Sequence, residues 1–153
     1  FPTRRSSDLS SYINCDIKTL FNFHLNTNNI TKITPNDTKV QLLTKDFKPQ
    51  VSQILKIKST KYFIPMNWEV KIEKIDEPNL LVDLAIKSPF AYWEHKHIFI
   101  ESENMCELKD VITFEMPFGF LGKCLEGFVK KDLQKMFDFR HKTTKEILEK
   151  GNS

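Results

Sequence analysis

Glycine is scarce in this chain: four in 153 residues, at Gly119, Gly122, Gly127 and Gly151. None sits in a loop that could wrap a phosphate, so nucleotide-cradling motifs are excluded, and no Gly-x-Ser-x-Gly turn raises a nucleophilic serine. Cysteine is equally thin. Cys15, Cys106 and Cys124 are an odd, widely spaced set without the paired spacing of a metal knuckle or a disulfide framework. They read as reduced thiols of a cytoplasmic protein, with Cys106 and Cys124 in the core. No stretch approaches the roughly 20 apolar residues of a membrane span, and no charged-then-apolar leader is visible. An excess of one charge is missing too. The net charge is +3, spread along the chain, and no basic run alternates with aromatics, so nucleic acid is not an expected partner. Internal repeats and low-complexity linkers are also absent.

What is present is a globular composition, 40% hydrophobic with thirteen phenylalanines, in one domain's length. Residues 1–9 differ abruptly from the rest. They resemble the translation of a common short-read sequencing adapter, so residues 10–150 are taken as the single domain and 1–9 as a non-native segment.

Periodicity gives the elements. Leu9–Asn14 reads as a short strand, and Asp16 caps a helix bearing Ile17, Leu20, Phe21, His24 and Leu25 on one face. A further turn of helix is expected over Ile30–Ile33. Strands follow at Val40–Lys45, Ile54–Lys61, Trp68–Ile75, Leu80–Lys87, Tyr92–Glu101 and Met105–Glu115. Their short connections imply antiparallel neighbours. From Pro117 to Lys150 no further proline intervenes. Leu121, Cys124, Leu125, Phe128, Val129, Leu133, Met136, Phe137, Ile147 and Leu148 share one face of a helix about 40 Å long. Such a rod needs a concave sheet to bury it.

Several phrases in this order resemble the SRPBCC superfamily (START-like, helix-grip, polyketide cyclase-like), and within it a bacterial ligand-binding subgroup. They are Tyr12-Ile13-Asn14-Cys15-Asp16 with Leu20-Phe21-Asn22-Phe23-His24, Ser88-Pro89-Phe90 with Trp93-Glu94-His95-Lys96-His97, Asp110-Val111, Pro117-Phe118-Gly119 with Leu121-Gly122, and Phe137-Asp138-Phe139-Arg140-His141. The resemblance implies an α+β helix-grip fold, a seven-stranded antiparallel sheet curled around the C-terminal helix, with a cavity between them for a hydrophobic or amphiphilic small molecule.

Alternation then marks polar residues on the side expected to be dry. His95 and His97 share a strand face with Trp93 and Phe99. Two imidazoles at i, i+2 stand about 7 Å apart, close enough to share a metal or a ligand carboxylate, but no further His or Cys pattern completes a metal site. Asp110 lies among Cys106, Leu108, Ile112 and Phe114, where a bare carboxylate would be costly. Arg140 falls on the apolar side of the long helix and is the expected ion-pair partner, with His95 or His97 as alternatives. Asp132 and Thr143 fall in or beside the same stripe. His24 reads as a satisfied core histidine, His141 as solvent-facing. The expected ligand wall is Trp68, Val70, Trp93, His95, His97, Phe99, Asp110, Ile112 and Phe114, with Phe128, Asp132, Met136 and Arg140 from the helix. No metal and no cofactor is expected. The alternative is a cyclase, dehydratase or isomerase using Asp110 with His95 or His97 as acid/base. A third reading is a filled structural domain, and a cavity of roughly 300 Å³ would separate it from the other two.

Overall fold

The computed structural model describes residues 4–151, apart from the side chain of Phe120. Residues 1–3 of the supposed adapter segment lie outside that range. Seven strands and three helices follow the chain: β1 (Arg5–Ile13), α1 (Ile17–Leu25), α2 (Asn29–Lys32), β2 (Thr38–Leu42), β3 (Ile54–Lys61), β4 (Ile64–Asp76), β5 (Leu80–Lys87), β6 (Tyr92–Ser102), β7 (Met105–Glu115) and α3 (Gly119–Lys150). One antiparallel sheet in the order β1-β7-β6-β5-β4-β3-β2 curls around α3, as the periodicity required. The seam is a return of β1 onto β7, from Arg5 opposite Phe114 to Ile13 opposite Cys106.

Two apolar clusters fill the concave side. One gathers Ile13, Leu20, Phe21, Ile72, Leu81, Phe99 and Leu108 beneath α1. Asp16 caps that helix by accepting the Thr19 backbone N–H at 2.9 Å, which points Leu20 and Phe21 inward. The other holds Trp93, Ile112, Phe114 and Phe137, with Trp68, Phe90, Val129 and Leu133 packed against it. Trp68, Phe90 and Trp93 form an aromatic floor, their ring centroids 4.9–6.0 Å apart. On β6 and β7 the inward residues run apolar, polar, apolar. Trp93 and Phe114 lie at one end, Phe99 and Leu108 at the other, and His95, His97 and Asp110 between.

Some expectations require correction. β1 begins at Arg5, inside the segment set aside as foreign, because ladder pairing uses backbone groups whatever the side chains are. β2 spans Thr38–Leu42, earlier than Val40–Lys45, since its partner β3 ends at Lys61 opposite Thr38. The buried stripe of α3 does not run its full length. Leu121, Leu125 and Phe128 are 70, 58 and 59% exposed, and Cys124 is exposed instead of buried. The reason lies in the entry turn. Phe118 and Gly119 both adopt positive φ, and a Cβ on Gly122 would lie 2.0 Å from the Pro117 carbonyl oxygen. The turn is tight, and the two turns of helix that follow it leave Leu121, Leu125 and Phe128 uncovered. From Leu133 onward the stripe is buried or half-buried at Leu133, Met136, Phe137, Arg140, His141, Thr144 and Leu148.

Candidate functional site: a polar layer between two apolar clusters

The polar layer centres on Asp110, which is 3% exposed. His95 Nε2 lies 2.7 Å from its Oδ1 and His141 Nε2 lies 2.7 Å from its Oδ2. A buried carboxylate accepts only, so both imidazoles donate from Nε2, and each keeps its Nδ1 for another partner. His141 Nδ1 meets the Ser11 hydroxyl at 2.7 Å. His97 Nδ1 stands 3.2 Å from Asp110 Oδ1 but off the hydrogen-bond line, while its Nε2 lies 2.9 Å from Asp83 Oδ2. The His95 and His97 rings lie only 3.7 Å apart, centroid to centroid. His24 closes the layer from α1: its Nδ1–H donates to the Leu20 carbonyl at 2.9 Å, and its ring packs on His97 and Phe99. Phe137 closes it from α3, edge-on to His95.

The electrostatics follow from that packing. Burial alone would raise the Asp110 carboxyl, but His95 beside it, the hydrogen bonds from His141 and His95, and the nearby His97 hold it well below the usual carboxylate range. Burial would lower His97, yet Asp110 and Asp83 flanking it lift it to about 9. Burial and then the neighbouring His97 push His95 down, since two imidazolium ions cannot share so short a gap. Burial, then His97, pushes His24 down to about 4. At neutral pH, Asp110 is therefore ionised and His97 cationic, while His95 and His24 are neutral.

Two further expectations fail here. Arg140 does turn inward and lines the same cavity, but it makes no ion pair with Asp110 among the described residues; the histidines fill that role. Its Nε is buried without a partner, its guanidinium lies 5.1 Å from the centre of the Phe137 ring, and burial lowers its pKa. His141 is 4% exposed, not solvent-facing. Its position four residues after Phe137 and seven before Leu148 was the signal for the buried stripe. Asp83 was missed because β5 is apolar on both sides of it, yet the register sets it directly opposite His95. Asp132 sits nearer the open end, bound by Lys61 Nζ at 2.8 Å.

The cavity inside the layer is about 20 Å³, room for one water and far below the 300 Å³ a preformed ligand chamber would need. A larger cleft of about 370 Å³ lies elsewhere, on the surface between the end of α1 and the segment around Phe47, lined chiefly by polar groups such as Asn22, Asn26 and Asp46. Between sheet and helix, the uncovered apolar side chains gather at the N-terminal half of α3. There Phe128 meets Tyr62 of the β3–β4 hairpin at a ring distance of 6.3 Å, and Phe63 and Ile64 stand exposed beside Tyr62.

No protein-family model matches the chain, and no curated protein matches it either. Solved structures do. TTHA0849 from Thermus thermophilus is 12% identical, with a TM-score of 0.77 over 97% of this chain and 100% of that one. A Thalictrum norcoclaurine synthase, solved with a transition-state analogue, is 10% identical, with a TM-score of 0.75 over 100 and 99% of the two chains. The di-domain ARO/CYC StfQ of the steffimycin biosynthetic pathway is 9% identical, with a TM-score of 0.77 over 97% of this chain and 52% of that one. At such identities the likeness is one of architecture, and the architecture is the helix-grip fold: a seven-stranded antiparallel sheet curled around a long C-terminal helix.

Proposed function

We propose that the chain binds an amphiphilic small molecule of lipid, polyketide or isoprenoid type at the open end of the sheet–helix interface, its polar end directed toward the Asp110 layer. One observation carries this reading. Leu121, Leu125 and Phe128 on α3 and Tyr62, Phe63 and Ile64 on the facing hairpin are all more than half exposed, beside an aromatic floor that is itself only partly covered at Trp68 and Phe90. Apolar side chains massed at the mouth of a curled sheet mark a binding surface rather than chance exposure. The solved helix-grip structures that hold or process small organic molecules support the same reading. The bound molecule's bulk rests on Trp68, Phe90 and Trp93, because the polar layer has room for one water only. Arg140, buried at Nε without an acceptor, is the group positioned to take a carboxylate or hydroxyl at the inner end.

The test uses gently purified protein in native mass spectrometry and tryptophan fluorescence titrated with a fluorescent fatty-acid analogue. Saturable quenching of Trp68 and Trp93, lost in Phe128→Asp and Leu125→Asp, is expected. Unsaturable quenching in the wild type, together with an empty native spectrum, would sink the proposal.

A second reading, catalysis on a bound carbonyl compound, is favoured by one feature: Asp110 fixes the His95 and His141 tautomers as an orienting carboxylate does in an acid/base pair. Held ionised, Asp110 is the orienter, and neutral His95 is the base. Should Asp110→Asn alter affinity or stability while leaving turnover unchanged, the enzyme reading fails.

A further inference from the structure

We propose that Asp83, His95 and His97 form a binding site for a first-row divalent cation of the zinc type. The donors lie on two neighbouring strands, so their spacing is set by the ladder and not by a loop: Asp83 is the register partner of His95, and His97 follows two residues on. One carboxylate oxygen of Asp83 and one ring nitrogen of each histidine lie within 4.8 Å of one another. Two imidazoles and a carboxylate are a donor set that suits Zn²⁺ and its neighbours.

The outer shell is already built. Metal-ligating histidines nearly always give their second ring nitrogen to a carboxylate, which fixes the ring and the tautomer. Here one oxygen of Asp110 takes His95 Nε2 at 2.7 Å and faces His97 Nδ1 at 3.2 Å. That leaves His95 Nδ1 and His97 Nε2 as the coordinating nitrogens. Asp110 is braced in turn by His141, and His141 by Ser11. The His97 Nε2 to Asp83 Oδ2 distance is 2.9 Å. Ligands about 2.1 Å from a tetrahedral ion stand roughly 3.4 Å apart, so Asp83 must withdraw by about 0.5 Å. Asp83 has the more exposed side chain of the His97–Asp83 pair. The ion takes the place of the proton shared by His97 and Asp83. The adjoining cavity, lined by both histidines, holds one water, which supplies a fourth ligand. Asp83 and Asp110 match the charge of a divalent ion, and Arg140, on the same cavity, opposes it. This site does not rest on the amphiphile reading, because none of its three donors is among the apolar side chains at the open end.

The experiment uses untagged, chelator-treated full chain carrying Cys124→Ser, to remove the exposed thiol, titrated with zinc chloride by calorimetry and cobalt chloride by ligand-field absorption. One ion per chain is expected, with a tetrahedral cobalt spectrum and a raised melting temperature. Asp83→Asn and His97→Gln each weaken binding at least tenfold, and Asp110→Asn by 10- to 100-fold. Arg140→Gln binds at least as tightly as the parent. If His97→Gln does not fold, Asp83→Asn, on a partly exposed side chain, carries the comparison alone. Absence of stoichiometric binding, or affinity unchanged by Asp83→Asn, overturns the site.

Discussion

At the scale of single residues, the polar layer sets the energetics. Asp110 accepts from His95 and His141 and faces His97, so Asp110→Asn removes the charge and one of the two acceptor oxygens and is expected to cost about 3–5 kcal/mol in urea unfolding. Arg140 behaves in the opposite way. It makes no ion pair in the layer, so Arg140→Met is expected to change stability by less than about 1 kcal/mol, or to raise it, in the same assay. The contrast checks the assignment, since an Asp110–Arg140 pair would make both substitutions costly. The layer also fixes the pH dependence. Asp83, His95, Asp110, His24, Arg140 and His141 surround His97, and its folded-state value of about 9 exceeds the unfolded 6.5. Its stabilisation is complete below pH 6.5 and is lost as pH rises toward 9. His24 works the other way: depressed to about 4, it is stabilising above pH 6.5, and that contribution drains as pH falls from 6.5 to 4. Chelator-treated protein is therefore expected to melt highest near pH 6.5. His24→Phe should flatten the acid limb alone; an unchanged acid limb would count against a neutral, buried His24. Asp110 was legible from the sequence as a buried carboxylate needing partners. His95 was legible as an alternative partner, but His141 was not, because helical periodicity leaves Arg140 and His141 adjacent and only packing decides which side chain reaches the carboxylate.

Among the elements, α3 is two helices in one. Its C-terminal half is clamped: Phe137 and Thr144 are buried, and Lys145 Nζ donates to the Tyr12 carbonyl at 2.8 Å. Its N-terminal half is tied by few contacts, chiefly Glu126 to Arg5 and Asp132 to Lys61. Phe137→Ala should cost about 3–5 kcal/mol, whereas Leu121→Ser and Leu125→Ser should stay within about 0.5 kcal/mol, both read as melting shifts. Equal costs in the two halves would mean that the first half is buried in solution. The 3.6-residue pattern from Leu121 to Leu148 foretold the helix correctly, yet it could not tell an apolar face covered by sheet from one left uncovered. Periodicity reports what a face is made of. Whether a surface meets it depends on how far the sheet curls, which the chain encodes in the Pro117–Gly122 turn and the β-bulges on β4 at Glu69/Val70 and Ile72/Lys74.

Across the whole molecule, β7 is paired on both sides and packs its inward residues into both apolar clusters, so amides of β6 and β7 should exchange slowest. Hydrogen-exchange mass spectrometry should find residues 119–128 fastest among helical amides, and protection of that segment by an added amphiphile would locate the binding end. The antiparallel pairing of β3 to β7 was legible from their alternation and short connections, because each strand has one dry face. The small interior volume was not, since side-chain filling depends on where Phe137, Trp93 and Phe90 come to rest. Burial pushes the Cys15 thiol up to about 12 and raises Cys106 as well, which leaves both sluggish as thiolates, while Cys124 stands exposed between Leu121 and Phe128. A maleimide dye would therefore modify the native chain at one place, within a turn of the apolar mouth. The protein carries its own attachment point for a reporter of whatever enters there.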